Sequence, residues 1–243
     1  MLTGDKVETA TSISISSGLK SRKNQLFFMR ELTSGNEIHA KLDIFINYAT
    51  TCCLIIDGKT LSTIMNNEDL KMRFFEQAMR APCVCICRCS PTQKADVTKL
   101  MRSLTNGKRV AGIGDGGNDV GMILEADCGI GIEGKEGMQA SLAADFSIKE
   151  FGQIKKLILW HGRLSYRRSA VLAQFVFHRG LIISMIQAFF TIMFYFIAIP
   201  IYNGYLMMGY STIYTNLPIF SLVFDEDADV DSVLQFPPLY KSL

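Results

Sequence analysis

Hydrophobic positions divide the chain into two parts with different patterns. Up to about residue 160, short apolar runs alternate with polar and charged residues, as in globular proteins. From Gly180 to Phe224 the sequence contains no Asp, Glu, Lys or Arg. A membrane-spanning helix needs about 20 apolar residues, so this stretch has the length of two spans and a short turn. The pattern therefore predicts a globular part followed by membrane helices.

The turn between the two predicted spans falls at Pro200 to Gly204, which places transmembrane helices at 181–199 and 205–224. Basic residues precede the first span, and positive charge tends to remain on the inner side, so both flanking parts are expected to be cytosolic. These residues are Arg163, Arg167, Arg168 and Arg179. The flanking parts are a stalk helix at 151–180 and an acidic tail at 225–243. The alternative for this stretch is a buried helical hairpin of a soluble protein.

Residues 1–150 show the periodicity of alternating strands and helices. A helix is predicted at 70–80, and another begins at the capping box Ser90-Pro91-Thr92-Gln93. Short strands are predicted at 27–31, 53–56, 109–113 and 128–132. This succession is typical of an α/β fold with a doubly wound parallel sheet, which binds its ligands at the carboxyl ends of the strands.

Four of the seven cysteines alternate along one run, at Cys83, Cys85, Cys87 and Cys89. On a strand, alternate side chains form a line on one face and cannot surround a tetrahedral metal ion. We therefore interpret the run as a buried strand rather than a metal site. The net charge of +2 gives no reason to expect nucleic acid as a partner.

Three polar features would meet at the carboxyl edge of such a sheet. Thr3-Gly4-Asp5 opens a helix, and its free amides could hold a phosphate oxygen. Lys94 lies in the first turn of the helix capped by Ser90. Asp115 and Asp119 flank a glycine-rich loop, and their hard carboxylates suit Mg²⁺. Each feature alone is also common in ordinary turns, so only their combination indicates a site.

The combination resembles the phosphorylation domain of P-type ATPases, a branch of the Rossmann-type haloacid dehalogenase fold. Three segments look like the phospholipid-transporting branch: Cys-Arg-Cys-Ser-Pro-Thr-Gln-Lys-Ala, Ile-Gly-Asp-Gly-Gly-Asn-Asp-Val and Gly-Ile-Glu-Gly-Lys-Glu-Gly. The last is similar to class 2 members, which act in endosomes and the Golgi. The resemblance implies a partial haloacid-dehalogenase-like domain followed by a two-helix transmembrane hairpin.

The resemblance also implies roles for individual residues. Thr3, Gly4 and Asp5 would contact the nucleotide or the transferred phosphate. Arg88 and Lys94 would bind nucleotide phosphates. Within the glycine-rich loop, Asp115 and Asp119 would form the Mg²⁺ site, and Asn118 would bind a phosphate oxygen. The implied ligands are therefore ATP as substrate and Mg²⁺ as cofactor.

The family's phosphorylated Asp-Lys-Thr-Gly-Thr does not occur in this sequence, nor does its Asp-Gly-Glu-Thr. We therefore expect Met1 to be an internal start and the missing N-terminal part of the ATPase to be a partner. The isolated chain is expected to be inactive.

The composition of the membrane segment narrows the classes of substrate that could be transported. Cation pumps carry carboxylates in their spans, and this segment has none. A polar face is predicted from Ser184, Gln187, Thr191 and Tyr195, with Asn216 and Pro218 in the second span. Such residues suit a phospholipid head group, although they also serve ordinary helix packing.

The function implied is ATP-driven movement of phospholipid from the outer or lumenal leaflet to the cytosolic leaflet, through an aspartyl-phosphate. Two alternatives stay open. One is a noncatalytic or complementing membrane subunit. The other is a membrane-anchored Mg²⁺-dependent phosphatase, which needs an Asp-x-Asp near its start, where this sequence has none.

Overall fold

The computed structural model describes residues 1–105, 107–134, 138–226 and 228–242. The end of the third family-like segment, at Lys135 to Gly137, and Asp227 of the acidic tail lie outside the described residues. The chain forms two compact units, Met1–Glu150 and Phe151–Leu243.

The first half of the first unit is built on a parallel sheet. Its strands β1 (Gln25–Met29), β2 (Cys52–Asp57) and β3 (Cys83–Cys87) are hydrogen-bonded in that order. Leu2 adds a single parallel bridge to Ile86 on the far side of β3, and the Met1 ammonium donates to the Val84 carbonyl at 2.8 Å. The flanking helices are α1 (Val7–Ser16), α2 (Gly35–Tyr48), α3 (Gly58–Met65), α4 (Glu68–Ala78) and α5 (Pro91–Leu104).

The second half of this unit holds a second parallel sheet. Strands β4 (Ala111–Gly114), β5 (Cys128–Ile132) and β6 (Phe146–Ile148) pair in sequence order, with α6 (Val120–Glu125) and α7 (Gln139–Ala143) between them. The prediction of parallel strands alternating with helices is confirmed. The single continuous sheet is not seen, because Leu2 contributes only one bridge and no strand of the described residues joins it to β4.

Burial explains the sequence pattern of the first sheet. All six residues of β2 are buried, since helices cover both faces of the sheet. Phe45, Leu54 and Phe74 lie at the centre of the core and are almost fully shielded from solvent. Cys83, Cys85 and Cys87 form β3 as predicted, Cys89 lies just beyond its end, and all four thiols are buried and free of disulfides.

The second unit is helical. A π-helix at Lys156–Gly162 leads into α8 (Arg163–Met193), and α9 (Gly204–Gly209), a π-helix at Tyr210–Tyr214 and α10 (Asn216–Phe224) return along it. The helix from Phe151 to Met193 is long and apolar enough to cross a membrane. It ends before the predicted boundary at residue 199, because Tyr195 and Phe196 adopt positive φ angles of 55° and 61°.

The last segment of the second unit contacts the base of α8. It comprises α11 (Val230–Gln235) and a 3-10 helix at Pro237–Ser242. The Trp160 indole N–H donates to the carbonyl of Ala228 at 3.3 Å, and Val233 is buried.

Candidate active site

Lys94 and Asp119 form a shielded ion pair where α5 packs against α6. The Lys94 Nζ atom lies 2.7 Å from Asp119 Oδ1, and the two side chains are only 10% and 14% exposed. Lys94 is placed by the capping box: Ser90 Oγ accepts from the Gln93 amide at 3.2 Å, and Gln93 Oε1 accepts from the Ser90 amide at 2.9 Å. Two predicted site residues, distant in sequence, are thus in direct contact.

The glycine-rich loop after β4 determines where Asp119 points. Gly114 ends the strand, and a methyl group added there would lie 2.4 Å from the Cβ atom of Asp119. Glycine is therefore needed for the aspartate to fold back against the strand. Asp115 and Asn118 lie in the same loop with exposed side chains. The Asp119 carboxylate is therefore shielded and held by Lys94, whereas the Asp115 carboxylate and the Asn118 amide are exposed.

The carboxyl end of β5 lies close to this loop. A methyl group added at Gly134 would lie 3.5 Å from both the Cβ atom and the carbonyl oxygen of Asp115. Gln139, at the start of α7, places its Oε1 atom against Gly117, where an added methyl group would lie 2.2 Å away. Neither Gly134 nor Gln139 is among the site residues predicted from sequence.

Thr3, Asp5 and Arg88 gather at the carboxyl end of β3. The Thr3 hydroxyl donates to Asp5 Oδ2 at 2.8 Å and accepts from the Asp5 amide at 3.2 Å. The Arg88 amide donates to the Asp5 carbonyl at 3.0 Å, which brings Arg88 beside the turn. The side chains of Asp5 and Arg88 are exposed, and open space surrounds Gly4.

These residues form two groups rather than one continuous cluster. Within residues 1–105 and 107–134, no hydrogen bond or ion pair links Thr3, Asp5 or Arg88 to the Lys94–Asp119 pair. Arg88 lies in the connection from β3 to α5 and Lys94 lies in the first turn of α5, so this connection links the two groups.

An apolar cleft of about 370 Å³ lies between the two sheets. On one side it is lined by Met1, Leu2 and Ile86, and on the other by β4. In the described part of the chain neither Leu2 nor β4 has a strand partner on the side of this cleft. Two unpaired edges therefore face a cavity with apolar walls.

Asp57, which sequence reasoning did not single out, also lies at a carboxyl strand end. It is 5% exposed, and its two oxygens accept from the Thr60 and Glu31 amides at 3.3 and 3.2 Å. Because both oxygens are bound by the backbone, Asp57 caps α3 and fixes the turn after β1. An Asp-Gly directly after the apolar run Cys52–Ile56 is the signal that could have identified this cap.

Known proteins are similar to this chain over its whole length. A family described as phospholipid-translocating P-type ATPase, C-terminal, matches residues 141–243. Over all 243 residues the chain is 53% identical to the probable phospholipid-transporting ATPase IIB of Homo sapiens. It is 49% identical to phospholipid-transporting ATPase NEO1 of Saccharomyces cerevisiae, also over its full length. The plant relative, phospholipid-transporting ATPase 6 of Arabidopsis thaliana, is 38% identical over 99% of the chain.

The chain spans about a fifth of the length of these curated relatives, 21% in each case. Its segments resembling the ATPase motifs lie within the matched region, and the expected resemblance is confirmed. The chain belongs to the phospholipid-transporting branch of the P-type ATPases.

Proposed function

We propose that this chain forms the Mg²⁺- and phosphate-binding side of the phosphoryl-transfer site in an ATP-driven phospholipid translocase. The observation that carries the proposal is the shielded pair of Lys94 and Asp119, 2.7 Å apart, in which Asp119 belongs to the same loop as the exposed Asp115 carboxylate. Phosphoryl transfer depends mainly on positioning and on stabilising charge at the phosphate oxygens. The fixed Lys94 ammonium and the neighbouring carboxylates, which can bind a metal, would supply both the positioning and the charge stabilisation.

The residues present fit Mg²⁺. This ion takes one or two carboxylates and completes its octahedron with water and phosphate oxygens. Asp115 offers an exposed carboxylate, and Asp119 a second one whose orientation Lys94 and Gly114 determine. Bound there, Mg²⁺ would neutralise charge on the phosphate during transfer.

The remaining residues would hold the nucleotide and the transferred group. Asn118 would donate its amide to a phosphate oxygen. Thr3, Gly4 and Asp5, in their turn at the end of β3, and Arg88 beside them would contact the nucleotide phosphates. Lys94 would approach the phosphoryl oxygens while Asp119 keeps its ammonium in place.

The cleft between the sheets would receive the strand that carries the phosphorylated aspartate. A strand inserted parallel to Leu2 and β4 would pair with both unpaired edges and cover the apolar walls. Its carboxyl end would then lie between Thr3 and Asp115. Filling the cleft would join the two sheets into one, as in the haloacid-dehalogenase-like fold. Either the rest of a protein as long as the relatives or a separate complementing polypeptide would supply this strand.

The second unit would carry the lipid-moving function in the membrane. Gln187 connects α8 to the following turn: its Oε1 accepts from the Ile201 amide at 2.9 Å, and its Nε2 donates to the Ile199 carbonyl at 3.2 Å. Gln187, one residue of the predicted polar face, therefore stabilises the turn after α8. We place the protein in endosomal or Golgi membranes, with both flanking parts in the cytosol and transport toward the cytosolic leaflet.

The test is formation of a phosphoenzyme from radiolabelled ATP. The full chain is co-expressed in membranes with a polypeptide supplying the Asp-Lys-Thr-Gly-Thr segment of a relative. We expect Mg²⁺-dependent labelling that Asp115→Asn and Lys94→Ala abolish. Lys99→Ala, which changes an exposed lysine on the same helix, should leave labelling unchanged. Labelling that survives Asp115→Asn would contradict the proposal, and Mg²⁺-dependent hydrolysis by the chain alone would favour the phosphatase.

A further inference from the structure

Arg88, directly after β3, adopts a backbone conformation that is rare for residues other than glycine. Its φ angle is 50°, in the left-handed region, where the Cβ atom crowds the following carbonyl oxygen. Strain of this kind persists only where the surrounding structure holds it, and it is concentrated at binding and active sites. Contacts around Arg88 must therefore stabilise this conformation.

Two backbone hydrogen bonds hold the chain at Arg88. The Arg88 amide donates to the Asp5 carbonyl at 3.0 Å, and the Cys89 amide donates to the Thr3 carbonyl at 2.9 Å. Cys89 is buried in the core, whereas the Arg88 side chain is exposed. The left-handed residue thus returns the chain to the core at Cys89 and leaves the guanidinium at the surface.

The carbonyl group of Arg88 lies against Gly58. A methyl group added at Gly58 would lie 2.4 Å from the Arg88 carbonyl oxygen and 3.2 Å from the carbonyl carbon. Both atoms belong to the backbone, so a larger residue could be accommodated only by moving the chain at Arg88. Gly58 is buried at the first position of α3, directly after the helix cap Asp57, and is itself fixed in place. Glycine at this position is therefore a condition for the observed conformation of Arg88.

Gln93 connects Gly58 to the segment that follows Arg88. Its Nε2 atom donates to the Gly58 carbonyl at 2.9 Å and to the Ser62 hydroxyl at 2.7 Å. Its Oε1 atom accepts from the Ser90 amide at 2.9 Å. One carboxamide thus joins the start of α3 to the chain two residues beyond Arg88.

The identity of residue 88 indicates more than a reversal of the chain. Glycine would adopt this φ angle without strain, whereas arginine retains the strain and leaves its side chain exposed. Among the described residues, no carboxylate lies within ion-pair distance of the Arg88 guanidinium. The strained conformation therefore presents a cation whose partner is an anion from outside this part of the chain.

We propose that Gly58 and Gln93 are positioning residues for the nucleotide, because they hold the Arg88 backbone in the left-handed conformation that directs its guanidinium to the phosphate oxygens. A guanidinium binds two phosphate oxygens at once when its orientation is fixed. This role rests on the proposed function, in which Arg88 contacts the nucleotide phosphates, and identifies the residues that fix that contact.

The test measures binding of the non-hydrolysable adenosine 5′-(β,γ-imido)triphosphate to the full chain, co-expressed in membranes with the complementing polypeptide. We expect Gly58→Ala to raise the dissociation constant about tenfold, as for a lost charge-assisted hydrogen bond, and Arg88→Ala to raise it at least as much. Gln93→Glu keeps the acceptor for Ser90 but loses the donor to Gly58, and should raise it less. Gly35→Ala is the matched control and should bind normally, because Gly35 also begins a helix and has open space around it.

A double-variant cycle separates positioning from a general loss of structure. If Gly58 acts through Arg88, Gly58→Ala should weaken binding no further in a chain that already carries Arg88→Ala. A purely structural role would lower the melting temperature and weaken binding by the same factor in both backgrounds. Equal factors in the two backgrounds, or unchanged binding in Gly58→Ala, would overturn the proposal.

The cycle can also be run with Gln93→Glu if Gly58→Ala fails to fold. Its effect on binding should likewise disappear in the Arg88→Ala background. Repulsion between the new carboxylate and the nucleotide phosphates would instead persist there. A persistent effect would count against positioning by Gln93.

Hydrogen exchange gives a readout that requires no nucleotide. The Arg88 and Cys89 amides are bonded to the carbonyls of the turn at Thr3 to Asp5, so Gly58→Ala should accelerate exchange of the peptide that contains them several-fold. Gly35→Ala should leave that exchange unchanged. Unchanged exchange in Gly58→Ala would overturn the positioning role. Accelerated exchange in Gly58→Ala, together with a wild-type complex that does not bind the nucleotide analogue, would instead show that the proposed function is wrong.

Discussion

The Lys94 ammonium and the Asp119 carboxylate lie 2.7 Å apart, and both are largely shielded from solvent. Removal of one partner leaves the other charge buried without compensation. Lys94→Ala is therefore expected to lower the free energy of unfolding by about 3 kcal/mol, whereas Lys94→Ala combined with Asp119→Asn should recover part of that loss. Urea unfolding of the full chain in detergent measures both. A loss in the double variant equal to the sum of the losses in Lys94→Ala and Asp119→Asn would show that the pair is not coupled.

Gly114 allows Asp119 to fold back against β4. A methyl group at this position would overlap the Asp119 side chain, and relief of the overlap must move either the strand or the carboxylate. We expect Gly114→Ala to lower the free energy of unfolding by about 2 kcal/mol, as overpacking does. Gly152→Ala is the matched control, because open space surrounds Gly152. A thermal melt that does not distinguish the two variants would refute this reasoning.

Asp127 makes the free energy of unfolding of the first unit depend on pH in the acidic range. The Val110 amide, at 3.0 Å, and then Arg102 and Arg109 lower the pKa of Asp127 from its ordinary value of 3.8. A carboxylate whose pKa is depressed in the folded state stabilises the fold above the unfolded pKa. That stabilisation is lost as the pH falls below 3.8 and through the lower pKa that Asp127 has in the folded state.

Asp127→Asn should therefore be less stable than the wild-type chain near neutral pH and should show a flatter decline below about pH 4. Unfolding midpoints measured between pH 7 and pH 2.5 test this. Glu76→Gln, which alters an exposed carboxylate on α4, should preserve the wild-type slope. An unaltered slope in Asp127→Asn would assign the acid dependence to other groups.

The buried thiols of β2 and β3 should resist alkylation. Burial raises the pKa of both Cys53 and Cys85 to about 12, so almost no thiolate is present at pH 8. Cys128 is only partly buried, and we expect N-ethylmaleimide to label it first. Peptide mass spectrometry after short exposure gives the order, and labelling in urea, where all seven thiols are accessible, is the control. Rapid labelling of Cys85 in the folded chain would contradict the buried arrangement of β3.

Local signals in the sequence predict local structure well. The capping box at Ser90 and Gln93 depends on bonds within one turn, and it forms as expected. The cysteine run forms a buried strand because every second residue must face the same side. The sequence placed Lys94 and Asp119 at the same edge of the sheet but did not predict their ion pair, since contact across 25 residues depends on how α5 packs against α6.

Long-range features are harder to predict, for physical reasons. The two-sheet arrangement depends on whether β4 pairs with the edge at Leu2, which the periodicity of the individual segments does not determine. The contact of Arg179 with Thr215 depends on which residues of the returning helix lie opposite it, and the sequence pattern does not give that pairing.

The parallel bridge between Leu2 and Ile86 has a consequence for the order of folding. The two residues are far apart in sequence, so this edge of the first sheet closes only after β3 has been synthesised and docked. Contacts between distant residues require closure of a long loop and slow the folding of a domain. β1, β2 and α2 can associate earlier because they are neighbours in sequence. We therefore expect the start of the chain to join the sheet among its last strands, guided by a template that later residues have already formed.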